Sequence, residues 1–564
     1  MKKFVLTISL ILFLGIAITA SADTVGEKRV FNVDPSFDSS GREELTAVLV
    51  KKTTNLYFYV DEKWWNFTPQ NEIYQALSNL GQEFEDGIYP TLTSTFGPEW
   101  NPGIDKESQI TILIHPMREE AGGYFRSNDE YFKIQVPDSN EREMVYLNSE
   151  YIKTSLVKSF LAHEFTHLIT FHQKENSYDV TEETWLNEAR AEYAPTLVGY
   201  DDVYEGSNLE RRVQLFTKNP SDSIIDWQNT KYDYGSINLF IQYLVDHYGI
   251  EILIDSLHSP KIGIESINYA LEKNGFEEDF SQIFLNWTIA VLINDCNYGP
   301  EYCYLNSNLR DFHISPKINF LPLSGESTLT LTDLTKNWTG NWYKIIGGKG
   351  TLKLGFIAGS SADFQVPYIT RNPAGSYNVK FLKLDDNRQG EIYLEDFGTE
   401  IISLFLIPSL QNSHSSDSGA FYSFSWSASI EKGQEEADLI KSLLVKIKDL
   451  EAEIAKVQAK INVILNKEPL PEPVSSCSFN TNLYYGLSNE NVKCLQIFLK
   501  SQGPEIYPEG LVTGNFLSLT KAAVIRFQEK YASEILTSWE LTKGTGFVGS
   551  ATRAKINEIL STSS

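Results

Sequence analysis

Three runs of β-branched and aromatic residues stand out early in the chain: Leu56-Tyr57-Phe58-Tyr59-Val60, Ile110-Thr111-Ile112-Leu113-Ile114 and Met144-Val145-Tyr146-Leu147-Asn148. Each has the length and composition of a strand. Between the first two, Ile73, Leu77, Leu80 and Phe84 recur at helical spacing, which predicts a helix within Asn71 to Tyr89. A longer helical pattern runs from about Thr154 to His172, with Val157, Leu161, Phe165 and Leu168 on one apolar strip. Further helical patterns cover Thr184 to Ala194, Tyr234 to Tyr248, Gly263 to Asn274 and Phe280 to Asn294. The segment Asp105-Lys106-Glu107-Ser108 lacks the alternating oxygens and the glycine of a calcium loop, and reads as a solvated turn.

The pattern changes at about Asn308. Short alternating segments follow, among them Thr328-Leu329-Thr330-Leu331, Thr351-Leu352-Lys353-Leu354, Val379-Lys380-Phe381-Leu382, Ile401-Ile402-Ser403-Leu404-Phe405 and Tyr422-Ser423-Phe424-Ser425-Trp426. Clusters of Gly, Asn, Ser and Asp separate them, which predicts an all-β sandwich over 311–430. Next, Ile440, Leu443, Ile447, Leu450, Ile454, Val457, Ile461 and Ile464 alternate steps of three and four. This seam predicts a coiled-coil helix over 435–466 and self-association through it, with a lone helix packed on the sandwich as the alternative. The run Glu468-Pro469-Leu470-Pro471-Glu472-Pro473 gives a stiff linker, 467–476, before a last domain over 477–561.

Composition changes this picture in three ways. Lys2-Lys3, the apolar run from Phe4 to Ile18 and Ala20-Ser21-Ala22 have the order of a secretory signal over 1–22. No later stretch reaches about eighteen uninterrupted apolar residues, so no membrane span is expected in the mature chain. The net charge of −26 argues against a nucleic-acid partner, whose phosphates it would repel. The four cysteines fall into close pairs, Cys296 with Cys303 and Cys477 with Cys494, which predicts two local disulfides in an exported protein.

The candidate chemistry lies in the long helical run, where His163-Glu164-Phe165-Thr166-His167 reads H-E-x-x-H. A separation of four residues puts His163 and His167 on one helix face, one turn apart, so both can reach a single ion. Glu164 is offset by one step, where a general base must sit to take a proton from water at that ion. A catalytic Zn2+ needs three protein ligands and an open position, and Glu188 in Trp185-Leu186-Asn187-Glu188 is the natural third. Glu192 lies one turn further along that face, placed to accept the second N–H of a ligating histidine. His172 points away from the ligand face, and His247 reads as a helix C-terminal cation.

From Tyr57 to Gly249 the chain resembles the glutamate-zincin metallopeptidases, and among them the hyicolysin-like neutral metallopeptidases. The resemblance rests on Phe58-Tyr59-Val60-Asp61, Ala121-Gly122-Gly123-Tyr124-Phe125, Glu143-Met144-Val145-Tyr146-Leu147-Asn148, the two zinc segments and Tyr232-Asp233-Tyr234-Gly235. It implies an α+β zincin-type metallopeptidase domain over 23–310. It also implies that Met144–Asn148 is the edge strand that pairs with an extended substrate, and that a tyrosine binds the oxyanion. Tyr232 matches that tyrosine's place, with Tyr234 its near rival.

A second resemblance covers Cys477 onward. Asn491 to Leu499, Thr513-Gly514-Asn515-Phe516, Thr520 to Gln528 and Gly549-Ser550-Ala551-Thr552 are similar to a small three-helix peptidoglycan-binding domain, departing from it at Leu517. This segment carries eight Lys and Arg against seven Asp and Glu, a net of +1 in a chain whose remainder holds −27. A near-neutral module would not be driven off an anionic cell wall. Together the two resemblances imply a multidomain, exported bacterial zinc metalloendopeptidase that acts on proteins or peptides and is anchored to peptidoglycan at the cell wall. The alternatives are a zinc peptidase acting on peptidoglycan stem peptides and a non-catalytic surface adhesin.

Overall fold

The computed structural model describes residues 23–430, apart from 120, 324–326, 360–361 and 413–418, then 446, 447, 450, 454 and 457, and finally 477–562 apart from 540. The expected secretory signal, the linker and four of the eight seam positions lie outside the described residues, while Ile447, Leu450, Ile454 and Val457 of the seam are described and exposed. The chain divides into two compact units, Met1–Lys441 and Ser442–Ser564. Among the described residues no helix is long and apolar enough to cross a membrane.

The first unit begins with a six-stranded sheet built from β1 (Lys28–Asn32), β2 (Glu44–Lys52), β3 (Leu56–Asp61), β4 (Ile110–His115), β5 (Gly123–Phe125) and β6 (Met144–Asn148). Its order is β1-β2-β3-β4-β6-β5; β3, β4 and β6 run parallel, while β5 returns antiparallel to β6. All residues of β3, β4 and β6 are buried, which explains their near-continuous apolar text. One face, with Phe58, Val60, Ile112, Ile114, Val145 and Leu147, joins the helical core. The other, with Tyr57, Tyr59, Leu113 and Tyr146, packs against Phe31, Leu45 and Leu49.

The expectation that Met144–Asn148 forms the sheet edge is corrected by this order. β6 lies inside the sheet, between β4 and β5, and the short strand Gly123–Phe125 is the edge. Three residues, two of them flanked or occupied by glycine, carry too little strand pattern to have been recognised.

Helices α1 (Glu62–Phe67), α2 (Gln70–Glu83) and α3 (Tyr89–Phe96) connect β3 to β4. Seven helices follow the sheet: α4 (Leu156–Thr170), α5 (Thr184–Leu197), α6 (Asn208–Lys218), α7 (Lys231–Tyr248), α8 (Glu251–Leu257), α9 (Gly263–Lys273) and α10 (Phe280–Ile293). α4 is buried from Ser159 to Thr170, so it is a central helix with little solvent face. The Cys296–Cys303 disulfide closes the turn after α10.

Two sheets and a small three-stranded one then form the β region. One sheet orders Tyr377–Phe381, Pro367–Arg371, Ser403–Leu406, Tyr343–Gly347 and Lys317–Leu321. The other orders Gln389–Phe397, Gly350–Ala358, Tyr422–Ile430 and Ser327–Thr335. Their period-two text is realised directly: Leu352, Leu354 and Phe356 are buried alternately, as are Phe424, Trp426 and Ala428 opposite them. This region is not set apart from the helices. Trp338 packs its ring on Phe280 and Phe284, and the Trp342 indole donates to the Thr288 carbonyl at 2.8 Å.

The second unit has its own core around Leu495, Phe498, Val524, Phe527 and Ile556. That core is drawn from helices Glu490–Ser501, Ser518–Lys530 and Ser550–Thr562, with a short helix Ala532–Ile535 between the last two. Cys477 and Cys494 form its disulfide.

Candidate metal centre

α4 and α5 lie side by side and bring His163, His167 and Glu188 to one point. His163 Nε2 and His167 Nε2 are 3.2 Å apart, and Glu188 Oε2 lies 3.2 Å from the first and 3.6 Å from the second. These three side chains are the one group among the described residues whose ligand atoms converge closely enough to hold a metal ion.

The outer atoms of both rings are already committed. His163 Nδ1 lies 3.2 Å from Glu192 Oε1, and His167 Nδ1 lies 3.1 Å from Asn187 Oδ1. Both partners accept, so each Nδ1 holds the proton and each Nε2 presents a lone pair to the centre. In that tautomer two lone pairs would meet at 3.2 Å, a spacing that a shared metal ion or one added proton relieves, and buried Glu188 Oε2 has no hydrogen-bond partner. A tetrahedral zinc site with ordinary bond lengths separates its nitrogen and oxygen donors by about 3.3 Å. The donor set therefore fits zinc in kind, number and spacing.

Charge agrees with geometry. Burial opposes a charge on His163, but the neighbouring Glu188 and Glu192 carboxylates outweigh it and lift its pKa to about 10, so an added proton is favoured wherever no metal ion takes its place. Burial likewise acts against the Glu188 carboxylate, yet His167 and His163 hold it down to about 2. The carboxylates thus favour positive charge at the centre. Glu192 is itself fixed by Arg212, whose Nε donates to Oε2 at 2.7 Å, and by the amides of Asn208 and Asn238, each 3.2 Å away. α6 and α7 supply these groups, so four helices orient the His163 ring.

A cleft of about 250 Å³ opens beside the centre, and Gly122, Gly123, Phe160, His163, Glu164 and Tyr234 are among the residues that line it. Glu164 is 5% exposed, and burial raises its pKa to about 7 against the pull of His163 and His167. β5 lies close above it: a Cβ on Gly123 would sit 2.6 Å from the Tyr146 carbonyl oxygen and 3.0 Å from Glu164 Oε1. Phe125, on the same strand, stacks on the His167 ring with centroids 6.1 Å apart.

The structure brings His163, Glu164, His167 and Glu188 together, with Glu192 behind them. Tyr232 is not among the residues lining the cleft; the phenol there is that of Tyr234. The Tyr234 ring lies 6.3 Å from that of His163 and is held between Trp227, at 4.8 Å, and the Arg212 guanidinium, 4.6 Å from its centroid. Burial raises the Tyr234 pKa well above its ordinary value, so the phenol stays protonated and able to donate. His247, in the last turn of α7, has Nε2 2.8 Å from the Cys303 carbonyl oxygen and is not among the residues lining the cleft.

Sequence reasoning missed Asn187, Asn208, Arg212 and Asn238. Asn187 was in plain view beside Glu188, and its helical offset from His167's partner face was the available signal. The other three come from α6 and α7, and no local pattern ties them to the zinc segments.

No protein-family model matches the chain, and no curated protein matches it. Among solved structures the chain is similar to the pre-peptidase C-terminal domain of a collagenase from Bacillus anthracis. That likeness has 8% identity and a TM-score of 0.15, and covers 20% of this chain and 96% of that one. It is also similar to a periplasmic inhibitor of g-type lysozyme from Aeromonas hydrophila, at 17% identity and a TM-score of 0.15, over 20% of this chain and 98% of that one. At such TM-scores these likenesses carry no argument about function.

Proposed function

We propose that the protein is an exported zinc-dependent endopeptidase that hydrolyses proteins or peptides and is held at the bacterial cell wall by its C-terminal unit. The observation that carries this reading is the convergence of His163 Nε2, His167 Nε2 and Glu188 Oε2, with Glu164 on the wall of the adjoining cleft. Zinc bound there would supply a Lewis acid that brings the pKa of water towards neutrality and polarises a peptide carbonyl.

The chain's own groups do the rest. Glu164, buried and close to neutrality in pKa, accepts a proton from the attacking water at a carboxylate oxygen and returns it to the amine that leaves. The Tyr234 phenol donates to the carbonyl oxygen as that oxygen gains charge. Glu192 and Asn187 keep both imidazoles in one tautomer throughout. The edge strand β5, rather than β6, offers the backbone ladder on which an extended peptide would lie. The disulfides and the secretory-type N-terminus support export.

The test is release of peptides from casein and from purified wall material by the zinc-loaded protein, with and without a chelator. Zinc-dependent release from casein alone is expected. Release from wall material alone would point to stem peptides as substrate, and release from neither would leave a non-catalytic surface protein.

A further inference from the structure

The cleft has a charge pattern that the zinc chemistry does not use. The chain is strongly acidic, with 74 Asp and Glu against 48 Lys and Arg, yet the cleft lining holds Arg118, Arg211, Arg212 and Lys231. Its acidic lining residues are Glu164 and Glu192. Glu192 is spent on Arg212 and His163. Arg211, next along α6, makes no ion pair among the described residues, and its buried Nη1 has no hydrogen-bond partner. Its guanidinium lies over the ring of Phe160, 5.6 Å from the centroid.

That position sets a distance from the chemistry. Phe160 precedes Glu164 by four residues on α4, about one turn or roughly 6 Å along the axis. Successive residues of an extended peptide advance about 3.3 Å each. With the further 5.6 Å from the Phe160 ring to the guanidinium, a group held by Arg211 would belong to a residue within about three places of the bond attacked beside Glu164. An unsatisfied, half-buried guanidinium presents a donor fork whose natural complement is a carboxylate.

We propose that Arg211 forms a specificity subsite for a carboxylate carried by the peptide substrate near the bond to be cleaved. This rests on the peptidase reading and names its substrate class: acidic peptides, through an Asp or Glu side chain or through a nearby chain-terminal carboxylate. Arg118 lines the same cleft.

The experiment uses N-acetylated, C-amidated peptides of one sequence with Glu or Gln placed in turn at each of the three positions either side of the cleaved bond. The zinc-loaded full chain should cleave one Glu peptide about tenfold or more faster in kcat/KM than its Gln twin. Arg211→Ala should abolish that preference, bringing the Glu and Gln peptides to the same kcat/KM, Arg211→Lys should keep part of it, and Arg211→Glu should favour Lys at the same position. If the terminal carboxylate is the source, the gain appears instead when the C-terminal amide is replaced by a free acid. Binding of the labelled Glu and Gln peptides to zinc-loaded Glu164→Gln protein, with and without Arg211→Ala, gives a readout that needs no turnover. Failure of wild-type cleavage with the binding preference intact would sink the peptidase reading and leave the subsite standing. Equal binding and equal cleavage of Glu, Gln and free-acid peptides, or a preference untouched by Arg211→Ala, would overturn the subsite.

Discussion

Tyr232 and Tyr234 stand two positions apart on α7, and a helix sends such neighbours to different sides. The sequence pattern around them is symmetrical enough that a motif match chose Tyr232, while the fold puts Tyr234 in the cleft between Trp227 and Arg212. Tyr234→Phe should therefore lower kcat by about ten- to a hundredfold with zinc content unchanged, because it removes one oxyanion donor. Tyr232→Phe should leave steady-state kinetics close to wild type; the reverse ranking would restore the motif-based choice. His163, Glu164 and His167 were legible together because helical spacing fixes which side chains share a face, whereas Glu188, on α5, was reached from the need for a third ligand and its Trp185-Leu186-Asn187-Glu188 segment. Arg212 was not, because its partner Glu192 lies 20 residues back on another helix and only tertiary packing joins them.

At the scale of elements, the wall above the cleft depends on two local fits. β5 approaches α4 so closely that Gly123 has no room for a Cβ, with backbone on one side and Glu164 on the other. Gly123→Ala should cost about 1–3 kcal/mol of stability and displace Glu164, so activity should fall more than folding does. Circular dichroism melts beside kcat/KM would separate the two effects, and an unchanged kcat/KM would show that β5 does not set the position of the base. The second fit is Asp38, which anchors the loop bearing Ser36 and Phe37 by pairing with Arg42 and facing His115 at 3.2 Å. Burial would raise its pKa, but the Arg42 guanidinium and the backbone N–H groups of Arg42 and Ser40 bring it down to about 2.

A carboxyl depressed in the fold stabilises it above its unfolded pKa of about 3.9, and that contribution is lost as pH falls through 2. His115, held neutral by burial with a pKa of about 4, adds a loss in the same direction between about pH 6.5 and 4. Asp38→Asn should thus be less stable than wild type in urea at pH 7, with the gap closing towards pH 2. A gap independent of pH would remove Asp38 from the account. The edge position of β5 was the element the sequence hid, since strand order is decided by pairings between distant segments and not by local text.

For the whole molecule, the division into two compact units matters more than any single boundary. The change of pattern at about Asn308 is not a gap in packing, because Trp338 and Trp342 from the β region enter the helical core. Alternation in the strands was readable; the few aromatic residues that weld one region to another were not, since they look like ordinary strand residues. Every group assigned to the chemistry lies in the first unit, so a chain ending at Asn466 should fold and hydrolyse soluble peptides at near full rate. It should lose retention on sedimented wall sacculi, and undiminished pelleting would place the wall-binding surface in the first unit.

The central claim is that His163, His167 and Glu188 hold zinc while Glu164 moves protons beside it. The most direct measurement is zinc content and peptide hydrolysis on the same preparations of wild type, Glu164→Gln and Glu188→Ala. Wild type and Glu164→Gln should carry zinc near full occupancy, with hydrolysis by Glu164→Gln reduced on the order of a hundredfold or more. Glu188→Ala should lose both metal and activity. An empty site in Glu164→Gln together with a filled one in Glu188→Ala would contradict the account.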